Sequence, residues 1–321
     1  MMTSEKGQAV YSFLGYAILV LVVVGVFFLF PWSDTMEHKK DPGLQEAYKA
    51  ISQKQWNKAL GLFNKAIGSN PKSAAAYLGR ARANAELGHL DKALDDVNQA
   101  LNFDPKNAGS LAQRAVIFKM QGKLNEANDD LTTAIRLNGR DAWIIAQRAD
   151  VLIKKGNAEE ALKEINKALK LDKNSVGAYR LRALILTNLG KCKDAFEDFK
   201  KVEVLGATDA VSLQDKAWFL LTCPDETMKD PDKAMALAQK AFDLSGGKSG
   251  LVLETMAEAN FRKGDALKAV ELQKKAIELE TKKCPDGACV AEMKERLKKY
   301  EMASRQEFRP RQEILPLGPA Q

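Results

Sequence analysis

Two patterns of apolar positions divide this chain. From Val10 to Phe30 (VYSFLGYAILVLVVVGVFFLF) 21 positions pass without a charge. At about 1.5 Å per helical residue such a run spans the roughly 30 Å hydrocarbon core of a bilayer, which predicts a transmembrane helix. Tyr11, Tyr16 and Trp32 stand towards its ends, as an aromatic belt does. Further along, the apolar positions fall three and four apart, as on amphipathic helices, and the whole pattern repeats. Ala59, Ala93, Ala127, Ala161 and Ala195 recur every 34 residues, flanked by parallel ladders at Ala47, Ala81, Ala115, Ala149, Ala183 and at Ala66, Ala100, Ala134, Ala168. A fixed period of this size predicts stacked supersecondary units, none able to bury its apolar face alone.

Within each unit the pattern resolves into two helices. Tyr77-Leu-Gly-Arg-Ala81, Leu111-Ala-Gln-Arg-Ala115, Ile145-Ala-Gln-Arg-Ala149 and Tyr179-Arg-Leu-Arg-Ala183 lie on the first helices. Gly88, Gly122, Gly156 and Gly190 follow at the same interval, where one helix ends and the chain turns. The second helices carry Ala93, Ala127, Ala161 and Ala195 with Val97, Leu131, Ile165 and Phe199 one turn on. Pro71 and Pro105 close the first two units.

The set Tyr77, Ala81, Leu87-Gly88, Ala93, Val97, Ala100 and Pro105 resembles the tetratricopeptide repeat, over about Lys40 to Leu279. The resemblance implies an all-α, right-handed superhelix of antiparallel helix pairs. Its first helices line a concave groove that commonly holds a peptide or a partner helix, and it implies no catalysis and no cofactor. The first unit departs from the pattern, with Lys54 where later units have glycine. Between Ala195 and Ala234 the interval is 39, so five residues are inserted, expected as a surface loop within Thr222 to Pro231. The Thr222-Cys-Pro-Asp225 stretch in that longer unit resembles a tetratricopeptide variant of bacterial proteins.

The predicted organisation is a tail (1–9), a membrane span (10–30), a linker (31–43), a solenoid of about seven units (44–280), a capping helix region (281–303) and a disordered tail (304–321). By register the groove is lined by Leu78, Arg82, Val116, Met120, Trp143, Asp150, Arg180 and Leu184, a surface read as apolar and sparsely charged. Trp143 is its candidate aromatic anchor. The asparagine and lysine pattern of chaperone-binding tetratricopeptide domains is missing, with Gly79 and Gln113 at asparagine positions. A second ladder pairs Arg80, Arg114, Arg148 and Arg182 with Asp96, Asp130, Glu164 and Asp198, read as ion pairs in register rather than an anion-binding stripe.

Composition narrows the function further. The 49 basic and 42 acidic residues leave +7, and no Lys/Arg tract interleaved with aromatics appears, so nucleic acid is not an expected partner. Two histidines leave little for imidazole catalysis. Cys284 and Cys289 lack a second ligand pair, so a local disulfide is favoured over a metal site, and Cys192 with Cys223 is compatible with another. Four free thiols is the competing reading. The basic residues around the span (Lys6 before; Lys39, Lys40 and Lys49 after) argue for a cytoplasmic domain, whereas disulfides would place it outside a bacterial cytoplasmic membrane, the favoured topology. The expected function is a membrane-anchored scaffold holding a protein or peptide partner. The alternative is a non-catalytic accessory subunit of a cell-envelope or secretion complex. The sequence does not fix partner or oligomeric state.

Overall fold

The computed structural model describes residues 42–282 and 290–307. The span predicted at Val10 to Phe30, the pair Cys284 and Cys289, and most of the predicted C-terminal tail lie outside them. Among the described residues no helix is long and apolar enough to cross a membrane. These residues contain fifteen α-helices and no strand. They form two compact units divided between Thr208 and Asp209.

The first unit is five helix pairs: α1 (Pro42–Ser52) with α2 (Trp56–Ser69), α3 (Ala74–Glu86) with α4 (Leu90–Phe103), α5 (Ala108–Met120) with α6 (Leu124–Leu137), α7 (Ala142–Lys154) with α8 (Ala158–Leu171), and α9 (Val176–Asn188) with α10 (Cys192–Val204). Within this unit each second helix packs on its own partner, the first four also pack on the first helix of the next pair, and first helices of successive pairs touch. The alanine ladders explain how closely these helices approach. Ala81, Ala115, Ala149 and Ala183 are wholly buried, as are Ala93, Ala127, Ala161 and Ala195. Larger apolar side chains on the second helices, among them Phe63, Val97, Leu131, Ile165 and Phe199, are buried as well. Burying each such side chain contributes about 1.5–3 kcal/mol.

Local chemistry sets the boundaries. Ser73, Asn107, Asp141 and Ser175 cap α3, α5, α7 and α9 by accepting a backbone N–H of the first turn. The turn inside each pair places its glycine at positive φ, 78° at Gly88, with the following residue's N–H donating back across the helix end, His89 to the Asn84 carbonyl at 2.9 Å. In the first pair Lys54 takes that conformation, at φ 57°. A side chain there costs on the order of 1 kcal/mol. Lys54→Gly is therefore expected to raise the unfolding free energy by about that amount, checked by chemical denaturation. A destabilised variant would contradict the account of the turn.

The second unit holds α11 (Ala210–Thr222) with α12 (Pro231–Leu244), α13 (Gly250–Arg262) with α14 (Ala266–Thr281), and the closing helix α15 (Ala291–Glu307). The five inserted residues lengthen the α11–α12 connection. It is no plain surface loop: Cys223 is fully buried, Glu226–Met228 form a 3₁₀ turn, and the Asp230 N–H donates to the Leu220 carbonyl at 3.0 Å. The last helix is longer than the amphipathic stretch Met293 to Tyr300, and Met293 and Tyr300 are wholly buried. Arg296 Nε donates to Glu254 Oε1 at 2.9 Å and Tyr300 Oη to Glu258 Oε2 at 2.7 Å. The helix thus closes the end of the stack with polar as well as apolar contacts.

Candidate functional site

The second-helix side of the first unit is occupied by its own charges. Arg80 forks onto Asp96, with Nη2 to Oδ1 at 2.6 Å, and its Nη1 donates to Asn64 Oδ1 at 2.8 Å. Arg114 joins Asp130 and Asn98 in the same way, and Arg182 joins Asp198 and Asn166. Each arginine reaches a carboxylate sixteen residues ahead in its own pair and an asparagine sixteen residues back in the preceding one. The hydrogen bond to the aspartate, with its charge, holds all three guanidinium groups above the ordinary arginine range although burial opposes it. Arg148 differs because Thr132 replaces the asparagine and Glu164 the aspartate. It contacts Glu160 at 3.0 Å and Glu164 at 3.4 Å. The asparagine ladder was present in the sequence at the 34-residue interval, but its role depends on contacts between units. A cleft of about 390 Å³ opens on this network, beside Leu60, Asn64, Arg80 and His89. Its central ions already satisfy one another, so the pairing expected of this ladder leaves no anion stripe.

The first helices present a different face. Of the residues assigned to the groove, Leu78, Val116 and Leu184 are buried between helices, and so is Arg180. Arg82, Met120 and Trp143 are partly exposed. Trp143 packs against the apolar cluster of the second and third pairs, so its ring is partly core and partly surface. Asp150 is wholly buried and takes a salt bridge from Lys119 at 2.6 Å. Lys119 Nζ also donates to Gln147 Oε1 at 3.0 Å. Cys192 and Cys223 are both buried.

The face is more charged than its register suggested. Glu86, Lys119 and Lys154 join Arg82 and Asp150 in the C-terminal halves of the first helices, and Arg180 lies in the N-terminal half of α9. Glu86, Met120 and Lys154 stand 34 residues apart, and that interval was the signal for them. Burial pushes the Lys154 ammonium below the ordinary lysine range, with Asp150 opposing and Lys119 adding to the shift. Burial likewise lowers Arg82, against the pull of Glu86, and raises Glu86, against Arg82 and Lys54. Charges held in a partly dry concavity interact more strongly with a ligand than the same charges in water. Among the described residues no group of three or more His, Cys, Asp or Glu is placed to hold a metal ion.

A family model described as tetratricopeptide repeat matches residues 50–115 and 119–185. Among solved structures, the chain is similar to a tetratricopeptide repeat protein from Parabacteroides merdae, at 18% identity over 83% of this chain and 99% of that one, with a TM-score of 0.60. It is also similar to pilF of Pseudomonas aeruginosa, at 20% identity over 70% of this chain and 98% of that one, TM-score 0.53. A chain of the APC/C hetero-tetramer Cut9–Hcn1 aligns at 16% identity over 78% of this chain and 48% of that one, TM-score 0.63. No curated protein matches the sequence. At these identities the likeness shows the fold, that of a tetratricopeptide repeat protein, a scaffold that other chains use for protein binding.

Proposed function

We propose that this chain is a non-catalytic, membrane-tethered scaffold that holds a polypeptide partner along the first-helix face of its first unit. One observation carries the reading. The second-helix side spends its arginines on internal pairs, whereas the first-helix face keeps Trp143, Met120 and Arg82 partly exposed around a desolvated charge cluster. A partly exposed aromatic beside buried charges is the composition of an interface centre. The tether rests on the uncharged run Val10 to Phe30. Alkaline extraction should leave the full-length chain in the membrane pellet; release into the supernatant would remove the tether.

Ala146 lies on the same face, between Trp143 and Asp150, and is partly exposed. Ala146→Arg should sharply reduce recovery of co-purifying partner from solubilised membranes. Lys163→Glu, on the exposed side of α8, should leave it unchanged, with thermal melts confirming that both variants fold. Equal recovery with Ala146→Arg and loss with Lys163→Glu would move the binding surface to the second helices. A single stoichiometric complex would point to a subunit role, and several weaker clients to an adaptor.

A further inference from the structure

Resting on the tether of that reading, we infer that the edge of the first unit at which its second helices end lies against the surface of an anionic lipid bilayer. Phe103, Leu137 and Leu171 are the last residues of α4, α6 and α8, stand 34 residues apart and are half-exposed. Val204, the last residue of α10, is exposed as well. Among the described residues of this unit, these four are all the large apolar side chains left exposed. The Phe103 ring is held from the inside by Tyr77, with centroids 5.9 Å apart, so its outer half stays presented. Apolar tips repeated along one edge suit a boundary between water and hydrocarbon. The charges beside them fit its headgroups. Lys72, Lys106, Arg136, Arg140, Lys170 and Lys173 lie in the stretches 68–73, 102–107, 136–141 and 170–175, and all six are exposed. None of their charged ends enters an ion pair or hydrogen bond among the described residues. The three acidic residues of these stretches serve their own turns: Asp104 accepts from Asn107 Nδ2 at 3.0 Å, Asp141 from the Trp143 N–H at 2.9 Å and Asp172 from the Asn174 N–H at 3.0 Å. Long basic side chains reach past apolar tips to lipid phosphates, and each strengthens adsorption to an anionic surface.

The tether enters at the same edge. Each pair turns back through three residues, so its helices are antiparallel, and each next first helix starts where the preceding second helix ends. Tyr48 Oη of α1 donates to the Ala75 carbonyl near the start of α3 at 2.8 Å, so α1 begins at this edge too. Residues 31–41 separate the uncharged run from Pro42 and reach at most about 40 Å. The opposite edge lies a helix length further, about 20 Å. Lysines occur there as well, Lys123, Lys155 and Lys191 among them, but no large apolar side chain is exposed beside them. Held by so short a connection, the edge needs only weak affinity for lipid to stay in contact.

The test uses the full-length chain reconstituted into vesicles of phosphatidylcholine alone or mixed with phosphatidylglycerol. A fluorescent residue stands at position 137 or, for comparison, at position 155, and lipids brominated near the headgroup end of their acyl chains act as quenchers. In anionic vesicles position 137 is expected to be quenched at least about threefold more than position 155, with the difference shrinking at high salt. Arg140→Glu with Lys173→Glu should bring quenching at 137 down to its level in neutral vesicles, and Arg140→Lys with Lys173→Arg should preserve it, thermal melts confirming that both variants fold. Equal quenching at the two positions, none at either, or quenching at 137 that survives the charge reversal would overturn the inference. Polypeptide adducts from a photoreactive residue at 137, without lipid quenching there, would assign the edge to a protein instead. Retention of the chain by neutral vesicles at alkaline pH reads the tether separately. Retention without quenching at 137 keeps the tether and removes the edge contact, whereas release together with salt-sensitive quenching at 137 in anionic vesicles keeps the contact and removes the tether.

Discussion

Gly79→Ala is expected to lower the unfolding free energy by about 1–3 kcal/mol, a cost that a smaller side chain at position 63 relieves. A Cβ at position 79 would lie 2.1 Å from Cζ and 2.2 Å from Cε1 of Phe63. Such a clash is cheap only when the neighbour can swing aside. Phe63 is wholly buried and meets Tyr48 edge-on, with ring centroids 5.2 Å apart, so its ring has nowhere to go. Phe63→Leu should be destabilising alone, and in that background Gly79→Ala should cost much less. A double-mutant cycle by chemical denaturation measures the coupling. Additive effects, or a neutral Gly79→Ala, would contradict the packing described. Glycine at this position is a departure from chaperone-binding tetratricopeptide domains that has a packing cause: the ring from the preceding unit fills the space.

In the second unit the largest effect is expected at Arg296. Its guanidinium bonds to Glu254 and lies 5.2 Å from the Trp218 ring centroid. Glu254 also accepts from Gln273 Nε2 at 3.4 Å, and its side chain is only 5% exposed. Arg296→Met should cost about 3 kcal/mol, because it strands a buried carboxylate. Adding Glu254→Gln should recover much of the loss. Burial holds the Glu254 carboxyl above the ordinary glutamate range, with Arg296 opposing, and losing Arg296 raises it further. A raised carboxyl favours folding below its unfolded pKa, and that advantage is lost as pH rises through the folded value. The Arg296→Met deficit should therefore be greatest at neutral pH and shrink as the solution becomes acidic. A deficit that grows on acidification would show that the pair does not act as described.

Sequence reading recovered what repeats. Ala93, Ala127 and Ala161 could be aligned because close helix approach admits only small residues there, and Gly88, Gly122 and Gly156 because their turn needs positive φ. It was less informative where contacts leave the 34-residue register. Lys119 and Asp150 are 31 positions apart, so neither ladder pairs them. Glu254 and Glu258 find Arg296 and Tyr300 on a closing helix that belongs to no repeat. The inserted stretch after Thr222 looked like a loop because its polar residues hide the buried Cys223. Position on a face was legible, whereas depth was not: Leu78, Val116 and Leu184 share the groove register with Arg82, yet neighbouring helices bury all three.

The claim that partners lie along the first helices is tested most directly by photo-crosslinking in the native membrane, with a photoreactive residue at Trp143 or Met120 and, as the comparison, at Lys163 on α8. Discrete polypeptide adducts at positions 143 and 120, with none at 163, are the predicted result. Adducts at 163 alone would contradict the account, because they would place the partner on the side where the second helices are exposed.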